Sequence, residues 1–456
     1  MIFGKSKSRQ VLDVTSGPMM KKLLMFAIPV ILSGVLQQTF NTADSVIVGR
    51  WASAEALGGV SSTASLVNLI ICLFNGLSIG AAVAISQCIG AGDEAGAGRH
   101  AHNAVATAFF GGIAVGIAGV LLSRPVLTLM GTPEENIEYA VKYMRLYFMG
   151  APFILLYNYG SAILRCMGDT KRPLIYLFMG GVTNVILNVI FVVGFGMDSD
   201  GVAIATVASN VISSSLVLYT LCHSHNCCTI SLSKVRIRAK EFKRIIALGL
   251  PAGIQSAMFS ISNVVVQSSL NSFGSSAVAG NGAAISIEAY ASYTQEGFCQ
   301  AALTFSGQNT GAGKYKRIKS VFYLANAMGI VAMLILASIL VPLREPIITL
   351  FIPNNPEAVA IGCTRMLYII PLTSLGMIMM GTSACLRGMG KSIVPMLISI
   401  FGVCVVRLGW IFTVFKAFRS LETIYLVYPV SWIVTDIALI AMFVIVYKRA
   451  MKKSQI

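Results

Sequence analysis

The stretch ILRCMGDTKRP (residues 163–173) returns in the second half of the chain as CLRGMGKSIVP (residues 385–395). In this alignment Leu164 corresponds to Leu386, and Pro173 to Pro395. QCIGAG (residues 87–92) returns as QNTGAG (residues 308–313) with an offset that differs by a single position. Matches that keep so nearly constant an offset, in the same order along the chain, indicate two copies of one repeated unit.

The composition places both copies in a membrane. The chain has 456 residues, of which 56% are hydrophobic and 11% are charged, whereas a soluble globular protein carries roughly 25% charged residues. Apolar runs of about 20 residues, long enough to cross a bilayer as helices, recur along nearly the whole chain. The sequence does not alternate as the strands of a membrane barrel do. We therefore predict an all-α polytopic membrane protein.

Hydropathy and helix-breaking residues predict twelve transmembrane helices, six in each copy. Their predicted bounds are 23–48, 57–85, 104–123, 140–164, 174–197, 201–222, 245–270, 277–305, 319–342, 360–386, 393–415 and 423–447. Because six is even, the second copy enters from the same side as the first, so the repeats are parallel, as in a two-lobe transporter. We predict an N-terminal lobe (1–222), a basic linker (223–244) and a C-terminal lobe (245–456).

Basic residues indicate the orientation of the chain. The net charge is +16, which in a soluble protein would suggest a nucleic-acid partner. If the N-terminus is cytoplasmic, 25 of the 34 Lys and Arg residues lie on cytoplasmic segments and Arg407 lies within a span. The other 8 lie on outer segments, counted together with the entry to the fourth and tenth spans. The positive-inside rule then explains the charge without nucleic acid. We expect a multi-pass protein of a bacterial cell membrane, with both termini cytoplasmic.

Asp44 is a carboxylate near the end of the otherwise apolar first span. A charged group in hydrocarbon is costly unless it is paired, hydrated or protonated, so Asp44 predicts a functional site. The same helical face carries other polar side chains, at Gln37, Asn41 and Ser45. An Asp on such a face can take up a proton or help to hold Na⁺. The alternative is an Asp at the outer end of the span that pairs with Arg50 or reaches the interface.

The candidate charged residues within predicted spans of the second copy are Glu288, Glu296, Arg407 and Asp436. Together with Gln37 they form the predicted substrate-binding or gating set. The two glutamates can contact a cationic substrate or carry protons. A Glu288–Arg407 pair, acting as a clamp or gate, is an equal alternative, because a lone buried charge is costly. Asp436 either pairs with Arg407 or faces solvent.

Several segments resemble the multidrug and toxic compound extrusion (MATE) family: FNTADSVIVGRW (40–51), SQCIGAG (86–92), ILRCMGDTKRP (163–173), NVILNVIF (184–191), GVAIAT (201–206) and TFSGQNTGAGKYKRI (304–318). The resemblance implies a V-shaped two-lobe transporter. It also implies cation-coupled export of organic, usually cationic and lipophilic, compounds by alternating access. It places a carboxylate of the N-terminal proton or cation site at Asp44.

The same resemblance gives a role to polar residues of the fifth and sixth spans. Asn184 and Asn188 are one turn apart, and Thr206 belongs to GVAIAT. Many relatives carry Asp where this chain has Asn188, and the missing charge weakens a Na⁺ site because hard cations prefer carboxylate oxygens. The predicted proton or cation site comprises Asp44, Asn41, Asn184, Asn188 and Thr206. The alternative for the two asparagines is hydrogen bonding between helices.

Other functions have less support in the sequence. No enzyme is expected, because the four histidines fall in predicted cytoplasmic loops and no nucleophile–base pair is visible. GAGDEAGAG (90–98) lacks the ending of a nucleotide-binding loop, and HSHNCC (223–228) is too crowded for a metal. No cofactor is expected, and H⁺ or Na⁺ acts as the coupling ion. We expect a monomer whose partners are a small organic molecule and the bilayer. A flippase for a lipid-linked sugar, or an exporter of another polar metabolite, is the alternative, against which the single predicted buried arginine argues.

Overall fold

The computed structural model describes residues 13–51, 54–224 and 226–453, and describes side chains between residues 45 and 69 only in part. Every regular element in these ranges is helical. The long helices of the first half are α1 (Met19–Trp51), α2 (Ala54–Gly90), α3 (Glu94–Leu129), α4 (Glu134–Met149), α5 (Ala151–Cys166), α6 (Lys171–Asn188) and α7 (Ser199–His223). A π-helical segment, Val189–Gly194, follows α6.

The second half repeats this order with more breaks. Its helices are α8 (Ala239–Asn271), α9 (Ser275–Gly311), α10 (Tyr315–Leu340), α11 (Arg344–Phe351), α12 (Pro356–Ile369), α13 (Thr373–Gly388), α14 (Ile393–Ser399), α15 (Val406–Phe412), α16 (Val414–Ala417) and α17 (Leu421–Lys453). A second π-helical segment, Ile400–Val405, joins α14 to α15. A short 3₁₀ helix, Leu232–Lys234, precedes α8.

Each of the twelve predicted spans coincides with a helix or with a broken helix. The fourth span is divided into α4 and α5 at Gly150, and the tenth into α12 and α13, which are bent by 50°. In the described part of the chain, nine helices are long and apolar enough to cross a membrane, or ten if the bent pair is one span. The polar helix α9 is not among them, because its 37 residues are rich in Ser, Gly and amide side chains.

The prolines of the predicted spans lie inside helices or at their breaks. Pro29, Pro251 and Pro429 lie inside α1, α8 and α17. Pro152 lies in the first turn of α5, where the missing backbone N–H leaves no helical hydrogen bond unmade. Pro371 lies in the gap between α12 and α13, so the 50° bend falls at a proline.

The chain divides into two compact units. One comprises Val35–Leu250, and the other comprises the chain from Pro251 onward together with Val14–Gly34. Within the second unit, Asn309 Nδ2 donates to the Val14 carbonyl at 3.4 Å, and the rings of Phe26 and Phe305 lie 5.7 Å apart. The first part of α1 therefore packs against α9. The sequence-based lobe boundaries at 222 and 245 stay a prediction.

The linker that the sequence predicts packs on α3 within the first unit. The Ser231 backbone N–H donates to His102 Nε2 at 3.0 Å, and the Asn103 amide donates to the Arg238 carbonyl at 3.0 Å. Arg99 Nε lies 3.3 Å from Glu241 Oε1 at the start of α8. Hydrogen bonds and an ion pair thus hold this segment to its neighbours.

Each unit has a hydrophobic core of its own. In the first unit α3 and α4 bury Leu127, Met144 and Phe148. In the second, α8 and α17 bury Val266 and Tyr425. Val266 is the residue of the second copy that corresponds to Asp44 in the repeat, so a core side chain stands in the second copy where the first has a carboxylate. The two copies share a scaffold, but their buried charges differ.

Candidate functional site

Three helices of the first unit bring Asp44, Asn184, Asn188 and Thr206 together. Asn188 Nδ2 on α6 donates to Asp44 Oδ1 on α1 at 2.6 Å, although the two residues are far apart in the sequence. Asn184 Nδ2, one turn earlier on α6, lies 3.4 Å from Thr206 Oγ1 on α7. Both asparagines are buried. The residues that the sequence grouped are therefore in contact, and their role as a proton or cation site stays a prediction.

The Asn184 amide fits this cluster in two orientations. In one, its oxygen accepts from Asn188 Nδ2 at 3.2 Å and lies 2.7 Å from Asp44 Oδ1. In the other, its nitrogen occupies that place and donates to Asp44 at 2.7 Å. Two oxygens 2.7 Å apart need a proton or a cation between them, whereas a nitrogen donor fits an ionised carboxylate. The second orientation is the one that pairs a donor with the Asp44 carboxylate.

Other parts of the predicted polar stripe have different neighbours. Gln37 Nε2 donates to Asn41 Oδ1 at 3.4 Å, one turn before Asp44. The side chains of Ser45 and Arg50 lie outside the described residues, and so does the alternative pairing of Asp44 with Arg50. Tyr143 on α4, which the sequence reasoning missed, lies within electrostatic range of Asp44. It adds a hydroxyl group to the surroundings of the carboxylate.

Glu288 pairs with Arg365, and the predicted Glu288–Arg407 pair is wrong. Arg365 Nε and Nη2 donate to the two Glu288 oxygens, each at 2.7 Å. Arg365 Nη1 donates to Asn281 Oδ1 at 2.8 Å. The sequence reasoning counted Arg365 with the outer connections, but the structure places it in α12 with 4% of its side chain exposed. The bidentate ion pair occupies the oxygens that were predicted to meet a cationic substrate.

Arg407 is buried among neutral groups. Its Nη1 donates to Asn263 Oδ1 on α8 at 2.7 Å, and its Nε donates to Ser431 Oγ on α17 at 3.2 Å. The guanidinium carbon lies 4.4 Å from the ring centroid of Tyr428. Within the described ranges no carboxylate lies at ion-pair distance from Arg407.

Glu296 and Asp436 differ from Glu288 in that neither forms an ion pair among the described residues. Glu296 Oε1 accepts from Gln300 Nε2 at 2.5 Å, and the buried Arg387 lies within its electrostatic range. Asp436 on α17 is 6% exposed, and neither of its carboxylate oxygens has a hydrogen-bond partner among the described residues. Both predicted alternatives for Asp436, a pair with Arg407 and exposure to solvent, are therefore wrong.

The oxygen, nitrogen and sulfur donors of the described residues determine which ions the protein could hold. No group of three or more His, Cys, Asp or Glu side chains in the described ranges could hold a metal ion, and His225 of HSHNCC lies outside those ranges. The Asp44 cluster offers one carboxylate and the buried Asn188 Oδ1, which lacks a hydrogen-bond partner in the described part of the chain. This donor set fits a proton or a monovalent cation better than a divalent metal.

Helices of bilayer length in two repeated units, with a buried carboxylate–amide cluster in one of them, define a multi-pass membrane transporter. The family model MatE matches residues 29–190 and again residues 251–412, so this chain belongs to the MATE family. The two matched segments are equal in length and lie one in each copy, which confirms the internal repeat seen in the sequence.

Known proteins support this membership over most of the chain. "Probable multidrug resistance protein YpnP" of Bacillus subtilis (strain 168) is 30% identical over 308 residues, covering 67% of this chain and 68% of that protein. "Probable multidrug resistance protein YoeA" of the same organism is 28% identical over 445 residues, covering 94% of each. A solved structure described as "Outward-facing conformation of a multidrug resistance MATE family transporter of the MOP superfamily" has a TM-score of 0.92 at 22% identity, covering 98% of this chain and 100% of that chain. The predicted fold class, twelve helices in two lobes, is confirmed.

Sequence reasoning missed the polar network of the second unit, although a signal for it exists. Asn263, Gln267 and Asn271 follow one another at four-residue spacing on α8, which is the same helical periodicity that singled out Asp44 on α1. In the structure Gln267 accepts from Asn281, which accepts from Arg365. The repeat offers a second signal. Arg365 in the second copy corresponds to Tyr143 in the first, so both copies carry a polar side chain at this position.

Proposed function

We propose that this protein is a proton-coupled antiporter that exports organic compounds by alternating access. The protein acts as a monomer in a bacterial cell membrane, with both termini in the cytoplasm. It uses no cofactor, and H⁺ is the coupling ion. Family membership and the multidrug resistance relatives support the export of small organic molecules.

The observation that carries the proposal is the contact of Asn188 Nδ2 with Asp44 Oδ1 at 2.6 Å, beside the Asn184 amide, whose nitrogen can also donate to Asp44 at 2.7 Å. With Asp44 ionised, both amides can donate to it. With Asp44 protonated, its hydroxyl can donate to the Asn184 oxygen. One carboxylate with amide donors pointed at it supports H⁺ over Na⁺, because a sodium ion needs several oxygen ligands.

Coupling follows from thermodynamic linkage. A proton on Asp44 can drive export only if the proton and the substrate favour different conformations of the transporter. Residues of α1 belong to both compact units, and α1 contains Pro29. We propose that protonation changes the bend of α1 near Pro29, so that the state of Asp44 selects between outward-open and inward-open conformations.

The test is dye efflux from bacteria that express the wild type or Asp44→Asn, with the pH and Na⁺ gradients collapsed one at a time. We expect export to stop when the pH gradient is collapsed and to be lost in Asp44→Asn at equal membrane abundance. Glu135→Gln, which neutralises an exposed acid, should export as the wild type does. Export by Asp44→Asn at the wild-type rate would overturn the proposal, and arrest by the Na⁺ ionophore alone would assign the coupling to Na⁺.

A second candidate is export of a polar metabolite or flipping of a lipid-linked sugar. The sequence argued against it from a single buried arginine, but the structure buries Arg365, Arg387 and Arg407 in the second unit. Cationic side chains are suited to acidic polar cargo. Movement of a fluorescent lipid-linked sugar across proteoliposomes, without any dye export, would support this candidate.

A further inference from the structure

Arg407 holds a buried positive charge whose partners among the described residues are all neutral. Arg407 is 5% exposed. Its side chain contacts an amide oxygen, a hydroxyl group and the face of a Tyr ring. A buried cation without a counter-charge is costly, and such residues in membrane proteins are typically functional. The neutral contacts orient the guanidinium group but do not cancel its charge.

The neighbouring Arg365 shows what a neutralised arginine looks like in the same unit. Its Nε and Nη2 atoms each donate to one carboxylate oxygen of Glu288, at 2.7 Å. Arg365 and Arg407 contact the same ring, with guanidinium carbons 5.3 Å and 4.4 Å from the Tyr428 centroid. Among the described residues in contact here, two guanidinium groups and one carboxylate leave one positive charge in excess around Tyr428.

The excess charge lies next to an accessible surface. Asn263, which binds Arg407 Nη1 at 2.7 Å, is an exposed residue of α8, and Tyr428 is half-buried. A polar amide in a membrane-spanning helix typically faces water or polar cargo and not lipid, so the exposed side of Asn263 is expected to do so. An anionic group that arrives beside Asn263 can replace its neutral amide oxygen as the acceptor of the Arg407 hydrogen bond.

We propose that Arg407 is a recognition site for the carboxylate or phosphate group of an organic substrate. A guanidinium group offers paired donors that match both acids, and hydrogen bonds between ions are roughly twice as strong as neutral ones. Tyr428 and Asn263 position the guanidinium group. The proposal rests on the proposed export function and specifies its substrate class, because a purely cationic compound gains nothing from the uncancelled charge of Arg407.

The test is equilibrium binding to purified protein in detergent, followed by fluorescence anisotropy. The probes are carboxyfluorescein, which is anionic, and rhodamine 6G, which is cationic. Arg407→Gln should weaken carboxyfluorescein binding at least about tenfold, the loss expected for one charge-assisted contact, and leave rhodamine 6G within about twofold of the wild type. Arg419→Gln removes an exposed positive charge of the same unit and should bind both probes as the wild type does.

A second variant keeps the test decisive if Arg407→Gln folds poorly. Asn263→Asp places a carboxylate where the amide oxygen now lies 2.7 Å from Arg407 Nη1. It should raise the unfolding temperature and still abolish carboxyfluorescein binding. Wild-type binding of carboxyfluorescein by either variant would overturn the proposal, as would no binding by the wild type, or equal losses for both probes.

Competition distinguishes the two acids. Displacement of carboxyfluorescein by benzoate identifies a carboxylate site, displacement by phenyl phosphate a phosphate site, and displacement by neither overturns the proposal. Binding is measured without any ion gradient. A failure of proton coupling in the efflux experiment would therefore leave this result unchanged, and the two proposals fail separately.

Discussion

Arg365 binds both carboxylate oxygens of Glu288, with two N–O distances of 2.7 Å. With 4% of the arginine side chain and 14% of the glutamate side chain exposed, this is a buried ion pair between α12 and α9. Asn281 accepts from Arg365 and donates to Gln267 on α8 at 2.8 Å. One polar network thus joins three helices of the second unit, and the charges of its ion pair cancel.

Removal of the acid from this pair should destabilise the protein. Glu288→Gln leaves the Arg365 charge buried without a counter-charge, which costs about 3–5 kcal/mol. The unfolding temperature of the purified protein, followed by tryptophan fluorescence, should fall. The double variant Glu288→Gln/Arg365→Gln should recover most of the loss, because no buried charge remains. Glu345→Gln, at an exposed acid of the same unit, is the control.

A charge exchange separates this pairing from the predicted one. Exchange of Glu288 with Arg365 keeps both charges adjacent and should restore part of the stability that either single change loses. Exchange of Glu288 with Arg407 should restore none. The opposite ranking of these two exchanges would contradict the pairing in the structure.

Asn188→Asp should give the transporter a dependence on Na⁺. The new carboxylate would stand where the amide nitrogen now lies 2.6 Å from Asp44 Oδ1. Two carboxylates at that distance repel each other unless a cation lies between them, and hard cations prefer such oxygens. Dye efflux should then require a Na⁺ gradient, and Na⁺ should raise the unfolding temperature. Asn188→Leu removes the amide without adding charge, so Na⁺ should change neither its efflux nor its unfolding temperature. Equal responses to Na⁺ in the wild type, Asn188→Asp and Asn188→Leu would refute the prediction.

Gly249→Ala should weaken the contact of α8 with α2 in the first unit. A Cβ atom on Gly249 would lie 2.7 Å from the Leu77 Cα and 2.8 Å from the Gly76 carbonyl oxygen. Both are backbone atoms, so relief requires the helices to move apart, at a cost of about 1–3 kcal/mol. A lower unfolding temperature checks this. Gly282→Ala in α9, where a Cβ meets open space, should not lower it, and equal behaviour of the two variants would count against close packing at Gly249.

Cys227 in the linker should be the reactive thiol of the loop. Its sulfur lies 3.9 Å from that of Cys228, and the hydrogen bond from Cys228 lowers the pKa of Cys227, while that contact and burial raise the pKa of Cys228. Since the thiolate is the nucleophile, labelling of Cys227 should begin at a lower pH than for an ordinary thiol of pKa about 8.5. Mass spectrometry after maleimide treatment across a pH series measures this, with Cys227→Ser as the control.

The same thiol tests the orientation of the chain. A membrane-impermeant maleimide should label Cys227 in inside-out vesicles and spare it in intact cells, because the linker is predicted to be cytoplasmic. Labelling in intact cells would reverse the proposed orientation. Labelling of Cys228 in preference to Cys227 would contradict the pKa order of the two thiols.

Much of the first-unit cluster could be anticipated because its members are marked locally. Asp44 is an acid in an apolar run, and Asn184 and Asn188 are one turn apart, so each helix shows its polar face in the sequence. The resemblance to MATE proteins supplied the grouping of α1 with α6 and α7. Tyr143 was missed, because an isolated Tyr in a span is ordinary and only the packing of α4 places it near Asp44.

The sequence by itself determined the membrane class, the twelve helical segments, the repeat and the presence of Asp44 in a span, because these depend on run lengths and offsets along the chain. Only the tertiary structure decided which charges pair: Glu288 with Arg365, Arg407 with neutral groups, and Asp436 with no hydrogen-bond partner in the described ranges. One residue of register turns a helical side chain by about 100° and moves it about 1.5 Å. Sequence patterns locate the ends of spans only to within several residues, so the depth and direction of a buried charge come from helix packing.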